Sequence, residues 1–290
     1  MTLARDIAPA KINVCLFVGP QRPSDGRHEL VTVFQAVSVS DVVELEGAER
    51  DEVVCAEVDG VNLAQLALEA FRRRTGWDGP PVRIRIHKQI PVAGGMAGGS
   101  ADAAAALRLL AQHAGVGDDA ALHEIAVALG ADVPAQLRPG RHLGTGAGEV
   151  LEPLPDVPSY PVVVLPSSHR LSTADVFARA RDLGSVRTQG ELDERMGAVR
   201  AALPSLPDEL VVNDLQAAAI DLCPSAREAL GRVRDAGADQ ALVSGSGPTV
   251  VGLFADSAVA AQAARALGGV ATQTLAAHHV ESIGNNAAER

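Results

Sequence analysis

Residues 91–107 read Pro-Val-Ala-Gly-Gly-Met-Ala-Gly-Gly-Ser-Ala-Asp-Ala-Ala-Ala-Ala-Leu, and their types and spacing suit anion chemistry. Four glycines fall within six positions, at Gly94, Gly95, Gly98 and Gly99. Glycine lets backbone approach a ligand closely and reach positive φ. The alanine-rich run that follows has high helix propensity. The first N–H groups of such a helix lack internal partners and carry the positive end of its dipole, so phosphate is the natural guest. The plain alternative is a tight strand-to-helix turn in which glycine serves only packing.

Spacing separates the known phosphate cradles. A dinucleotide fingerprint starting at Gly94 requires glycines at 96 and 99, but position 96 is Met. A P-loop requires Gly-Lys-Ser/Thr at its end, but Gly99 is followed by Ser100 and Ala101. Phosphate bound here must therefore find its countercharge in Mg²⁺ or in a side chain from elsewhere in the chain. Lysine is scarce: of 25 basic residues only Lys11 and Lys88 are Lys, and the rest are Arg. A position that keeps Lys suits a compact point charge rather than a planar fork. Lys88, at the end of a strand, reads most simply as a snorkelling surface residue.

Period-two alternation in Val82, Ile84 and Ile86 predicts a half-buried strand running into the loop. Further strands are predicted over 7–18, 30–39 and 41–46, with helices over 61–74 (stopped by Gly76) and from 98 to about 113. Another follows the caps Asp118 and Asp119 and stops at Gly130. Asp132 then lies near the negative end of that helix, an unfavourable place for a carboxylate. Four prolines between 152 and 161 predict a boundary. Beyond it, strands are expected over 162–165, 241–244, 249–254 and 272–280. Helices are expected over 174–182, 189–203, 208–220, 224–237 and 258–267. The pattern reads as two α+β layers.

Composition bounds the function. A net charge of −11 argues against a nucleic-acid surface, and 47% apolar residues suit a globular chain. No apolar run approaches the ~20 residues of a membrane helix, and the N-terminus lacks a signal-peptide core. Cys15, Cys55 and Cys223 have no metal-like spacing and read as reduced thiols, which with the missing leader suggests the cytoplasm.

Pro9-Ala-Lys-Ile-Asn13, the loop at 91–107 and Val243-Ser-Gly-Ser-Gly-Pro-Thr249 together resemble the GHMP kinase superfamily. Asp25-Gly-Arg-His-Glu-Leu30, Phe34-Gln35, Gly130-Ala-Asp-Val-Pro134, Gly146-Ala-Gly-Glu149 and Asn213-Asp214 narrow the likeness. They resemble the branch that phosphorylates the 2-hydroxyl of a cytidine-diphosphate-linked methylerythritol in isoprenoid precursor synthesis. The resemblance spans nearly the whole chain in order. It implies a two-domain α+β fold, 1–157 carrying the ATP loop and 158–290 contributing to the substrate site, with the active site between them. It implies ATP as co-substrate, Mg²⁺, no resident metal site, and a small-molecule partner acted on by a monomer or weak homodimer.

Residue by residue, the resemblance makes Lys11 and Asp132 the catalytic pair. It assigns ATP to Pro91, Val92, Ala93, Gly94, Gly95, Met96, Ala97, Gly98, Gly99, Ser100 and Ala101. It assigns substrate to Asn13, His28, Thr173, Phe177 and Gly245. Arg27 departs from the family, which usually has Tyr there as an aromatic wall for the cytosine, although a guanidinium can also stack on a ring. A kinase of the mevalonate or homoserine type is the nearest alternative, and Asp25-Gly-Arg-His28 argues against it. A catalytically silent sensor is a second alternative, and the presence of both Lys11 and Asp132 argues against it.

Overall fold

The computed structural model describes residues 2–58, 60–91 and 95–276. The first half is built on two long antiparallel strands, β1 (Thr2–Gln21) and β2 (His28–Gly47). Where the sequence predicts two strands over 30–39 and 41–46, β2 runs through without a break. The polar Ser40-Asp41 step interrupts the apolar pattern. Asp41 is nonetheless fully buried, because its carboxylate accepts the backbone N–H groups of Gln89 and Ile90. A buried acceptor with partners is tolerated inside a strand.

On its second edge, β2 pairs with β4 (Val82–His87) over 42–47 and with β5 (Arg141–Thr145) over 32–35. β3 (Glu52–Val54) adds to β4, and β6 (Val150–Pro153) to β5. One face carries α1 (Leu63–Thr75), α2 (Gly98–Ala114), α3 (Asp119–Leu129) and the short α4 (Val133–Leu137). Asn62 and Asp118 cap α1 and α3 as acceptors for backbone N–H, and Gly76 closes α1 in the left-handed region at φ 69°. The alanine run makes α2 thin: Ala101, Ala103, Ala104, Ala105 and Ala106 are all buried against β1, α1 and α4.

The second half holds an antiparallel sheet in the order β10-β7-β9-β8, from β7 (Pro161–Leu165), β8 (Gln240–Val243), β9 (Val250–Leu253) and β10 (Val270–Gln273). With it go α5 (Thr173–Asp182), α6 (Gln189–Ala202), α7 (Gln216–Leu222), α8 (Ser225–Asp235) and α9 (Ser257–Leu267). The last strand is expected over 272–280 but ends at Gln273, and positions 277–280 lie outside the described residues. The proline-rich stretch 154–160 lies between the two sheets. The largest apolar core contains side chains of both, from Ile12 and Phe17 to Val162 and Val251.

The single helix expected over 208–220 is two pieces, a 3-10 turn at Asp208–Leu210 and α7. The break is made by Asn213. Its side-chain amide donates to the carbonyls of Val243 (2.8 Å) and Gly245 (2.7 Å) and accepts from the N–H of Leu215. The extended backbone there docks on the outer edge of β1: Leu16 N–H donates to Val212, and Asp214 N–H to Leu16. The same edge takes Arg187 N–H at Val18 O, and donates Lys11 N–H to Met96 O in the glycine loop. Asp214 completes the seam, accepting Val18 N–H and a bidentate pair from Arg187 at 2.7 Å each.

Replacing Asn213 by Ala strips partners from three backbone groups at once. The expected loss is about 2 kcal/mol or more. It is to be read as a lower urea midpoint at unchanged slope.

Candidate active site

A cleft of about 920 Å³ opens where the glycine loop, β1, β2 and the 244–247 turn meet. That is near the upper end of the ~300–1,000 Å³ usual for one small-molecule site. It has room for a donor and an acceptor together.

Val92, Ala93 and Gly94 lie outside the described residues. Pro91, Gly95, Met96, Ala97, Gly98 and Gly99 line the cleft. Ala97 precedes α2 in the left-handed conformation, at φ 55°, and no side chain caps the helix. Among the described residues no side chain caps the first turn of α2, so its backbone donors face the cleft. Close packing is also served here. A Cβ on Gly95 would stand 2.6 Å from the carbonyl oxygen of Ser244, and one on Gly98 3.1 Å from Ile90 Cγ2. Ser244 Oγ also donates to Gly95 O. Two expected ATP contacts look different in place. Ala101 is buried and its N–H already donates to Ala97 O, so it has no free donor to offer. Met96 points its side chain into the core and lends only backbone.

Lys11 and Asp132, 121 positions apart in sequence, meet across the cleft with Nζ 3.3 Å from Oδ1. The lysine side chain is 7% exposed and the aspartate 40%, so the cation is built in and the carboxylate faces the open space. Lys11 Nζ donates to Asn13 Oδ1 at 2.8 Å and lies 4.9 Å from the centre of the Phe34 ring. Asn13 in turn donates to Thr32 Oγ1, which donates to Cys15 O. This chain of bonds sets the amide of Asn13 so that its oxygen faces the ammonium. Asp132 does follow α3, as expected, but it also stands immediately before α4. The positive end of that short helix offsets the unfavourable dipole behind it.

At the far end of the cleft, His28 is buried on β2 and stacks on Phe177 of α5, with ring centres 5.2 Å apart and planes 22° apart. Thr173 Oγ1 lies 3.1 Å from Ser246 Oγ, which links the start of α5 to the 244–247 turn. Gly245 lines the cleft at φ 55°. Arg27 is held by Asp25, whose carboxylate also binds Arg22, and these arginine bonds hold Asp25 well below the usual carboxylate range. Arg22 reaches on to Glu149 at 2.7 Å, and Glu149 accepts the N–H of Ala147. Gly146-Ala-Gly-Glu149 thus anchors the loop that delivers His28.

The model of the GHMP kinases' N-terminal domain matches residues 62–140, and that of their C-terminal domain matches 191–271. The chain is 42% identical, over 91% of its length and 84% of the relative, to a 4-diphosphocytidyl-2-C-methyl-D-erythritol kinase of Anaeromyxobacter dehalogenans (strain 2CP-C). It is 44% identical to the enzyme of that name from Nocardia farcinica (strain IFM 10152), over 91% of this chain and 90% of that one. The chain belongs to the GHMP kinases, in the family of these enzymes. A crystal structure of a 4-(cytidine 5'-diphospho)-2C-methyl-D-erythritol kinase superposes with a TM-score of 0.79 at 32% identity, covering 93% of this chain and 98% of that one. A homoserine kinase from Cytophaga hutchinsonii ATCC 33406 superposes at 0.71 with 17% identity, over 94% of each chain, which shows a shared fold.

In this GHMP kinase Lys88 does not snorkel. Its ammonium is buried between Asp41 and Asp102, bonding Asp41 Oδ2 and, at 2.8 Å, Asp102 Oδ2. Burial alone would lower its pKa, but the two carboxylates outweigh burial and raise it. Burial pushes the Asp102 carboxyl up to about 7, opposed by Lys88 and reinforced by Asp41. Among the described residues Asp102 Oδ1 has no hydrogen-bond partner. The three residues tie β2 and β4 to the first turns of α2 and so fix the base of the glycine loop. Sequence reasoning passes over Asp41 and Asp102 because their shared cation is remote from both in the chain.

The raised pKa of Asp102 has a definite sign. The folded protein holds this proton to about pH 7, while an unfolded carboxyl releases it near 3.8. Stability from this group is therefore full below 3.8 and is lost as pH rises through about 7. Asp102→Asn cannot titrate. Relative to the wild type, its urea stability should gain steadily across that interval and level off above it.

Proposed function

We propose that this protein transfers the γ-phosphate of ATP to the 2-hydroxyl of 4-diphosphocytidyl-2-C-methyl-D-erythritol. The observation that carries the reading is the placement of the Lys11–Asp132 pair, 3.3 Å apart, in one cleft with the open N-terminus of α2 and the His28–Phe177 wall. The names of the relatives support the same substrate.

Phosphoryl transfer asks a protein chiefly for position and charge. Backbone donors of Gly98 and Gly99 at the start of α2 hold the ATP phosphates. Asp132 orients the acceptor hydroxyl and takes its proton as the new bond to phosphorus forms. Lys11, held by Asn13 and Phe34, supplies the fixed cation that a P-loop would draw from its own lysine, and stabilises the charge spread over the transferring group. Among the described residues no three or more His, Cys, Asp or Glu side chains cluster to cage a metal. Mg²⁺ binds by one or two carboxylates plus substrate phosphates and keeps its waters. The half-exposed Asp132 is the carboxylate that would share it. When bound, Mg²⁺ would neutralise charge on the phosphates there. Thr173, Gly245 and Phe177 close the substrate end. The stacked rings of His28 and Phe177 favour a nucleotide-linked acceptor over free mevalonate or homoserine, which carry no base.

We read residues 1–157 as the ATP-binding unit and 158–290 as the unit that completes the substrate site. Among the described residues no helix is long and apolar enough to cross a membrane. With three free thiols, a cytoplasmic enzyme acting alone or as a weak homodimer is the reading we favour.

Two measurements test this. Purified protein with ATP and Mg²⁺ should phosphorylate the cytidyl substrate far faster than mevalonate or homoserine, and faster turnover of either small alcohol would overturn the assignment. Asp132→Asn should lower kcat by at least ~10²-fold while ATP binding, followed by calorimetry, stays close to wild type.

A further inference from the structure

His28 has its ring hydrogen-bonded on both sides. Nδ1 lies 2.7 Å from the carbonyl oxygen of Gly19, which can only accept, so Nδ1 carries the hydrogen. Nε2 lies 3.2 Å from Nη1 of Arg181, which can only donate, so Nε2 presents its lone pair. The two partners together leave one arrangement of the imidazole. Arg181 stands one turn beyond Phe177 on α5, and both line the cleft. Neighbouring arginines are committed to carboxylates, Arg179 to Asp221 and Arg187 to Asp214. Among the described residues Arg181 has an assigned bond only to His28, and most of its donors remain available.

The cleft wall therefore shows an acceptor, His28 Nε2, flanked by a fork of donors. Cytosine carries the complementary edge: the N4 amine donates, and N3 and O2 accept. Uracil carries O4, an acceptor, where cytosine has its amine, and N3–H, a donor, where cytosine accepts. Uracil would set acceptor against acceptor and donor against donor. Phe177 is offset from the imidazole, so a base in the plane of His28 would meet its face.

We propose that Arg181 is a specificity-determining residue that selects cytosine over uracil. In the free protein its Nη1 occupies the place of the cytosine amine and keeps the buried Nε2 of His28 hydrogen-bonded. When the base arrives, the amine takes over Nε2 and Arg181 turns its donors to N3 and O2. One protein bond is exchanged for base contacts, and no polar group is left bare. Arg181 does the edge recognition in the cleft that Arg27, held by Asp25, also lines. This inference rests on the cytidine-linked substrate proposed above.

The test is steady-state kinetics of wild type, Arg181→Ala and Arg181→Lys on the cytidyl substrate and on its uridyl counterpart. Wild type should prefer cytidine by about 10²-fold or more in kcat/KM, since a site built to hydrogen-bond rejects a mismatched partner strongly. Arg181→Ala should raise KM for the cytidyl substrate at least ~10-fold with kcat and the KM for ATP little changed, and should shrink the cytidine-to-uridine ratio by a similar factor. Arg181→Lys, a point donor without the fork, should recover part of the ratio. If both variants weaken the two substrates equally, Arg181 acts only as a charge near the diphosphate and the proposal falls. If Arg181→Ala keeps both KM and ratio, the proposal falls while the function stands. A wild type inactive on the cytidyl substrate overturns the substrate reading and this one with it.

Discussion

The outer edge of β1 is the constraint on which the site depends. A strand edge presents a row of N–H and C=O groups that must find partners when buried. Here Lys11 N–H is taken by the glycine loop, Leu16 by the 212–214 segment, and Val18 O by Arg187. One edge thus receives the glycine loop of the first half and the 187 and 212–214 segments of the second at fixed offsets of a few residues. Lys11 and Asn13, two positions apart on the same strand, point together into the cleft that these dockings enclose. The pair is positioned because the backbone that carries it cannot shift along the edge without unmaking bonds to both halves.

The buried polar chains extend that logic to the side chains. Lys11 leans on Asn13, Asn13 on Thr32, and Thr32 on Cys15 O, so each donor has an acceptor and the ammonium has one direction open, toward Asp132. Asp41, Lys88 and Asp102 form a second, separate cluster beneath the loop. The two lysines of the chain both reach the cleft wall but are held differently: Lys11 bonds Asn13 with Asp132 beside it, and Lys88 is clamped between two carboxylates at the base of the loop.

Much of the fold could be read from the sequence where the cause is local. Asp118 before an apolar periodic run, Gly76 after one, and the alternation of Val82, Ile84 and Ile86 each act over a few residues. What could not be read has its cause far away. The helix expected across 208–220 breaks because Asn213 answers carbonyls at 243 and 245. Lys88 looks like a strand-end residue until α2 brings Asp102 to it, and Arg181 looks like one more solvated arginine on an amphipathic helix until β2 supplies His28. Ala101 belongs to the motif but is held in the helix core, a distinction that spacing alone does not draw.

Gly95 has no room for a side chain because the carbonyl of Ser244 stands where a Cβ would be, and Ser244 Oγ bonds back to Gly95 O. The glycine loop and the 244–247 turn are in direct contact at this point. At this contact there is no slack between the two segments. If the proposed donor and acceptor bind on either side of it, coupling between them would run through this contact, which one missing methyl group allows. By reciprocity, whatever factor one ligand adds to the affinity of its companion must be returned in full.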